Sequence, residues 1–140
     1  MSKDRKPILA LFYCQHTPQS SEQDKQALEV KYGKSLRLFP MPCSGRIEPL
    51  HLLRALEEFA DAAYVICCPA QECRYFDGNL RAKKRVQRVR EDIMSLGFQG
   101  YRIGIVMNSK EKQESLAKLT DEIVDTIAQL KPLPILNPQG

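Results

Sequence analysis

The residues best suited to chemistry in this sequence are its five cysteines, Cys14, Cys43, Cys67, Cys68 and Cys73. Thiolates ligate iron-sulfur clusters and zinc, attack electrophiles, and pair as disulfides. An odd count, with too short an apolar stretch after Met1 to act as a signal peptide, argues against a disulfide scaffold. It points instead to metal binding or thiol chemistry in a reducing cytoplasm. Cys68-x4-Cys73, with distant partners at Cys14 and Cys43, lacks the paired C-x2-C knuckles of a zinc ribbon. That spacing suits an iron-sulfur cluster better than structural zinc.

Other patterns touch the same segments. Cys68 and Arg74 satisfy C-x5-R, the spacing of cysteine phosphatases, in which a thiolate attacks phosphorus while arginine and loop amides hold the oxygens. Glu72 would repel the phosphate and Pro69 lacks an N–H donor, so the match is weak. Ser44-Gly45-Arg46 before a helix could receive an anion or simply cap the helix. Of the two histidines, His51 falls among leucines as a boundary residue, whereas His16, two positions after Cys14, is a candidate ligand.

The elements that must position these side chains come from a chain of 140 residues, 43% hydrophobic and 27% charged, which suits one globular domain. No apolar run approaches the roughly 20 residues that cross a bilayer. Short apolar runs at 7–14, 36–41, 63–68 and 101–107 predict strands. Helical spacing predicts helices over about 22–32, 48–60, 79–96 and 111–130. Their expected inward residues are Leu50, Leu53, Leu56 and Phe59 in the second helix. In the third they are Val86, Val89, Ile93 and Leu96, and in the fourth Leu116, Leu119, Ile123 and Ile127. Prolines at 40 and 42 put the second strand near an edge.

Alternating strands and helices require parallel units with right-handed crossovers, hence an α/β fold. The expected form is a small three-layer Rossmann/flavodoxin-like domain with a four-stranded parallel sheet over 1–130, and a Pro-rich arm over 131–140. Function in such sheets gathers beyond the carboxyl ends of the strands, where the strand order reverses. Cys14 ends the first strand, Cys43 follows the second, Cys68 ends the third and Cys73 lies in the next loop. A strand order of 2-1-3-4 would bring these four thiols into one crevice. Cys67, beside Val65 and Ile66, reads as core packing that faces away from them.

Charge is uneven. Six of the chain's 21 basic residues (Arg81, Lys83, Lys84, Arg85, Arg88 and Arg90) fall within 79–90 without an acid among them. Such a stripe beside the cysteine loop could meet nucleic acid, an anionic membrane or an acidic protein partner, or simply be a solvated helix face. No aromatic residue interleaves the basic ones and no recognition motif surrounds them, so specific nucleic-acid binding is not expected.

Three ordered motifs carry a family resemblance: Pro42-Cys43-Ser44-Gly45-Arg46-Ile47-Glu48-Pro49, Cys68-x4-Cys73-Arg74-Tyr75, and Gly78-Asn79-Leu80-Arg81-Ala82-x-x-Arg85-Val86. Together they resemble the delta subunit of methyl-viologen-reducing hydrogenase, an iron-sulfur family also found beside formate dehydrogenases and heterodisulfide reductases. The resemblance implies a [2Fe-2S] protein carrying electrons between a hydrogenase or formate dehydrogenase module and a heterodisulfide-reductase-like subunit. Cys43, Cys68 and Cys73 match family cysteines. In the first loop the family has a C-x-x-C pair; this chain keeps Cys14 but has Tyr13 before it and Thr17 where the later cysteine falls. The expected cluster and metal ligands are thus Cys14, Cys43, Cys68 and Cys73, with His16 as substitute and a cluster-free adaptor as the alternative. No acid–base pair or activated nucleophile stands out, so no turnover by the chain alone is expected.

Overall fold

The computed structural model describes residues 7–14, 17–41, 49–67, 78–107 and 114–130. Strands β1 (Leu9–Cys14), β2 (Leu36–Met41), β3 (Ala62–Cys67) and β4 (Ile103–Met107) alternate with helices α1 (Glu22–Tyr32), α2 (Pro49–Glu58), α3 (Gly78–Ser95) and α4 (Leu116–Ile127). All three strand pairings are parallel, in the order β2-β1-β3-β4.

Side-chain alternation divides the core between two faces. Leu9, Leu11 and Tyr13 of β1 pack with Leu28 of α1 and Leu116, Leu119, Ile123 and Ile127 of α4. Ala10 of β1 and Ala63, Val65 and Cys67 of β3 pack on the other face with Leu52 and Leu56 of α2 and Val86, Val89 and Ile93 of α3. The strands all run the same way, but the order in which they are added turns back between β1 and β3. From β1 the chain enters α1 on one face, and from β3 it enters α3 on the other.

Local chemistry sets the helix ends. The Ser21 side chain accepts from the Asp24 N–H while the Asp24 carboxylate accepts from the Ser21 N–H, a reciprocal cap for α1. Gly33 ends α1 at φ +61°, a conformation that favours glycine. Ser115 accepts from the Lys118 N–H, so α4 starts at Leu116 rather than at the expected 111, and residues 111–113 lie outside the described ones.

Two inward faces differ from expectation. In α2, Leu52 and Ala55 are buried with Leu56 while Leu50 is exposed. Apolar residues at 50, 52, 53, 55 and 56 allow two stripes, and packing against β3 and α3 selects the one centred on Leu52. Leu96 follows the last residue of α3, is exposed, and precedes a turn at Gly97 with φ +92°. Gly100–Arg102 form a 3-10 turn, which delays β4 to Ile103.

The amino-terminal end of the sheet is clamped by buried polar groups. The Asp61 carboxylate accepts from the Ile8 N–H at 2.9 Å, and the Asp61 N–H donates to the Ile8 carbonyl at 2.8 Å, joining the starts of β1 and β3. Arg102, 3% exposed, donates from Nη1 to the Asp61 carbonyl at 3.0 Å and from Nε to Gln99 Oε1 at 2.8 Å. Burial pushes the Arg102 guanidinium below its ordinary pKa, and the negative field of Asp61 opposes that shift. Tyr64 lies across Gly104, where an added Cβ would meet the ring at 2.4 Å, and its hydroxyl donates to the Tyr101 carbonyl.

Candidate functional site

The strand order turns back between β1 and β3, and sheets of this kind bind ligands outside the carboxyl ends of the strands at such a switch point. Cys14 is the last residue of β1 and Cys67 the last of β3. Tyr13 pairs with Ile66, and Cys14 pairs with Met41 on the other side. One step past the Tyr13–Ile66 pair, Cys14 and Cys67 are lateral neighbours on strands whose usual spacing is about 4.8 Å. Cys14 is 1% exposed and Cys67 is fully buried.

Cys14 shares its strand parity with Ala10 and Phe12, which belong to the α2/α3 face, as do Met41 and Cys67. The two described cysteines thus occupy one face. Cys67 is a core residue as its neighbours suggested, but it does not face away from Cys14. Alternation along β3 alone does not show its register against β1, which sets Cys67 one step past the Tyr13–Ile66 pair. Two strands that each end on cysteine were the available signal.

The turn after Cys14 is tightly bonded. Thr17 donates to the Cys14 carbonyl twice, from its N–H at 2.9 Å and from Oγ1 at 2.6 Å. The Ser20 hydroxyl donates to the Thr17 carbonyl, and the Leu116 N–H donates to the Pro18 carbonyl, tying the turn to the start of α4. Gln19, at φ +53°, takes the left-handed conformation that completes the turn. Thr17 is buried. Thr17, three residues after Cys14, therefore supplies a hydroxyl that fixes the Cys14 backbone. On the opposite face, burial raises the Tyr13 pKa, and Glu22 and Glu29 raise it further.

Cys43, Cys68, Cys73 and His16 lie outside the described residues, as do Ser44-Gly45-Arg46 and the 68–74 stretch of the C-x5-R pattern. The 131–140 arm lies outside them too. Among the described residues no group of three or more His, Cys, Asp or Glu could hold a metal ion, and no helix is long and apolar enough to cross a membrane. His51 is exposed.

On α3, Lys83, Lys84 and Arg88 are exposed and line a groove of about 860 Å³ with Gln87, Glu91 and Asp92. Arg90 serves otherwise. Its Nε and Nη2 donate to the Ile103 carbonyl at 3.0 and 2.8 Å, fastening α3 to the start of β4. The outward charge of the helix is therefore smaller than its sequence indicates.

A parallel α/β sheet with thiols at the switch-point ends of its strands defines a small cysteine-bearing domain of the doubly wound class. Residues 8–131 match the family described as methyl-viologen-reducing hydrogenase, delta subunit, and the chain belongs to that family. It is 26% identical over 129 residues to an iron-sulfur subunit of the F420-non-reducing hydrogenase vhu of Methanocaldococcus jannaschii, covering 92% of this chain and 96% of that one. The corresponding iron-sulfur protein of Methanopyrus kandleri is 31% identical over 104 residues, 74% of this chain and 79% of that one. One subunit of the Ferredoxin/F(420)H(2)-dependent CoB-CoM heterodisulfide reductase of Methanosarcina acetivorans is 27% identical over 131 residues, which are 94% of this chain and 16% of that protein.

Proposed function

We propose that this chain is a [2Fe-2S] electron-transfer and docking subunit, relaying electrons between a hydrogenase or formate dehydrogenase module and a heterodisulfide-reductase-like subunit. The observation that carries this reading is the pair of contexts in which its relatives occur. Nearly the whole chain matches hydrogenase iron-sulfur subunits, and nearly the whole chain also matches a small part of a heterodisulfide reductase polypeptide. A unit found both as a separate hydrogenase component and within a reductase polypeptide is suited to stand between the two activities.

Cys14, Cys43, Cys68 and Cys73 would hold the cluster, with His16 as substitute ligand. The donor chemistry fits, since Cys14 is a buried soft donor at the switch point. When bound, the cluster supplies one-electron redox chemistry. The chain fixes the Cys14 backbone through Thr17, keeps water from the buried thiol, and offers the exposed basic residues of α3 to a partner. No substrate is turned over by the chain alone.

Iron and acid-labile sulfide, measured on protein purified anaerobically from cells competent in cluster assembly, test the reading. Equimolar iron and sulfide, lost in Cys43→Ser and Cys68→Ser, are the expected result. Iron-free protein would replace it with the cluster-free adaptor.

A further inference from the structure

We propose that Cys14 and Cys67 form one two-sulfur donor site for a soft metal at the switch point of the sheet, making Cys67 a metal-binding thiol. The cluster role of this pair rests on the iron-sulfur reading above; its existence as a donor site does not.

Register and alternation carry the argument. Tyr13 and Ile66 are paired, and the next residue on each strand is a cysteine. Both share the parity of the α2/α3 face, so their thiols project from neighbouring strands at the same level. Met41, paired with Cys14 and 8% exposed, places a thioether next in the same row. Thiolate and thioether donors select soft cations. The row stands where the chain enters opposite faces from adjacent strands, the position at which α/β sheets bind ligands. Thr17 offers only a neutral hard oxygen, which a soft cation disfavours, and its hydroxyl is turned to the Cys14 carbonyl.

Binding displaces one proton from each thiol and requires no oxidant. Within a cluster site, the pair would give the Cys14 position a second sulfur able to replace the first.

A chain carrying Cys43→Ser, Cys68→Ser and Cys73→Ser retains only Cys14 and Cys67. Titrated anaerobically with Cd²⁺, it should bind one ion per chain with a thiolate-to-cadmium absorption band. Adding Cys67→Ala or Cys14→Ala should weaken binding by more than the roughly ten-fold that an outer-shell change costs. Absence of the band in the folded three-serine chain, or a band indifferent to Cys67→Ala, would overturn the pair.

If that chain does not fold, the full cysteine set decides. Cys14→Ser should retain part of its iron with an altered paramagnetic resonance spectrum, and Cys14→Ser with Cys67→Ala should lose it. Equal loss or equal retention in the two variants would overturn the exchangeable pair. Iron-free wild type whose three-serine variant binds Cd²⁺ would sink the iron-sulfur reading and sustain the donor site. If the wild type is iron-free and the three-serine chain does not fold, Cd²⁺ bound by wild type must weaken with Cys67→Ala or the pair falls.

Discussion

At the amino-terminal end of the sheet, the Asp61 carboxylate and main chain are bonded to Ile8 while the Arg102 guanidinium reaches the Asp61 carbonyl and Gln99. At the carboxyl end, the two described strand-terminal side chains flanking the switch point are thiols, and Thr17 bonds the Cys14 main chain rather than its sulfur. One end uses hard, charged donors and acceptors to register the strands. The other places soft donors beside a turn held by main-chain bonds. If the proposed cluster site is right, stability and function lie at opposite ends of the same strands, and substitutions should separate them.

The largest effect should come from Arg102→Met. The substitution keeps much of the buried stem but removes the donors to Asp61 and Gln99 while Asp61 stays buried. Losing two hydrogen bonds from a buried charged donor, at roughly 1.5–3 kcal/mol each, costs about 3 kcal/mol or more. Denaturant unfolding should show that loss, with iron per folded molecule unchanged. Loss of iron from protein that remains folded would mean that the two ends are coupled.

Thr17→Val should have a smaller effect of another kind. It deletes the Oγ1 bond, but the Thr17 N–H still donates to the Cys14 carbonyl, so no buried acceptor is abandoned. A single neutral hydrogen bond contributes about 1 kcal/mol. The same variant should release iron faster to a chelator, because Cys14 is held less firmly, and Thr17→Ser should restore retention. Unchanged iron release with the expected stability loss would leave Thr17 structural only.

The strand order is legible in sequence, because apolar strands alternate with amphipathic helices, and so is the place of Cys14 at the end of β1. Cys67 is harder to read. Its immediate neighbours, Val65 and Ile66, signal burial correctly, but its lateral neighbour across β1 lies 53 positions away in sequence. Arg90 misleads for a related reason: its charge is visible in sequence, whereas its bonds to the Ile103 carbonyl depend on how α3 crosses β4. The clamp of Asp61 and Arg102 gives no local signal, since neither residue belongs to a motif. Helix starts are legible where a cap is recognised, as at Ser21, and misplaced where it is overlooked, as at Ser115.

The smallest effect on stability should accompany the clearest effect on association rate. Lys84 and Arg88 are exposed on α3, which follows the loop from β3 and so begins near the carboxyl end of the sheet. Reversing both, as Lys84→Glu with Arg88→Glu, touches no buried group and should change unfolding free energy by no more than about 0.5 kcal/mol. Exposed charges act mainly by steering encounter, an influence that salt screens over roughly 10 Å at 0.1 M. Association with the proposed heterodisulfide-reductase-like partner should therefore slow several-fold at low salt, with the difference shrinking as salt rises and dissociation little changed. Stopped-flow measurements at two ionic strengths would show it. Unaltered association, or tight DNA binding by the wild-type chain at physiological salt, would assign this face to something other than a redox partner, leaving the thiol-bearing end of the sheet without its proposed docking surface.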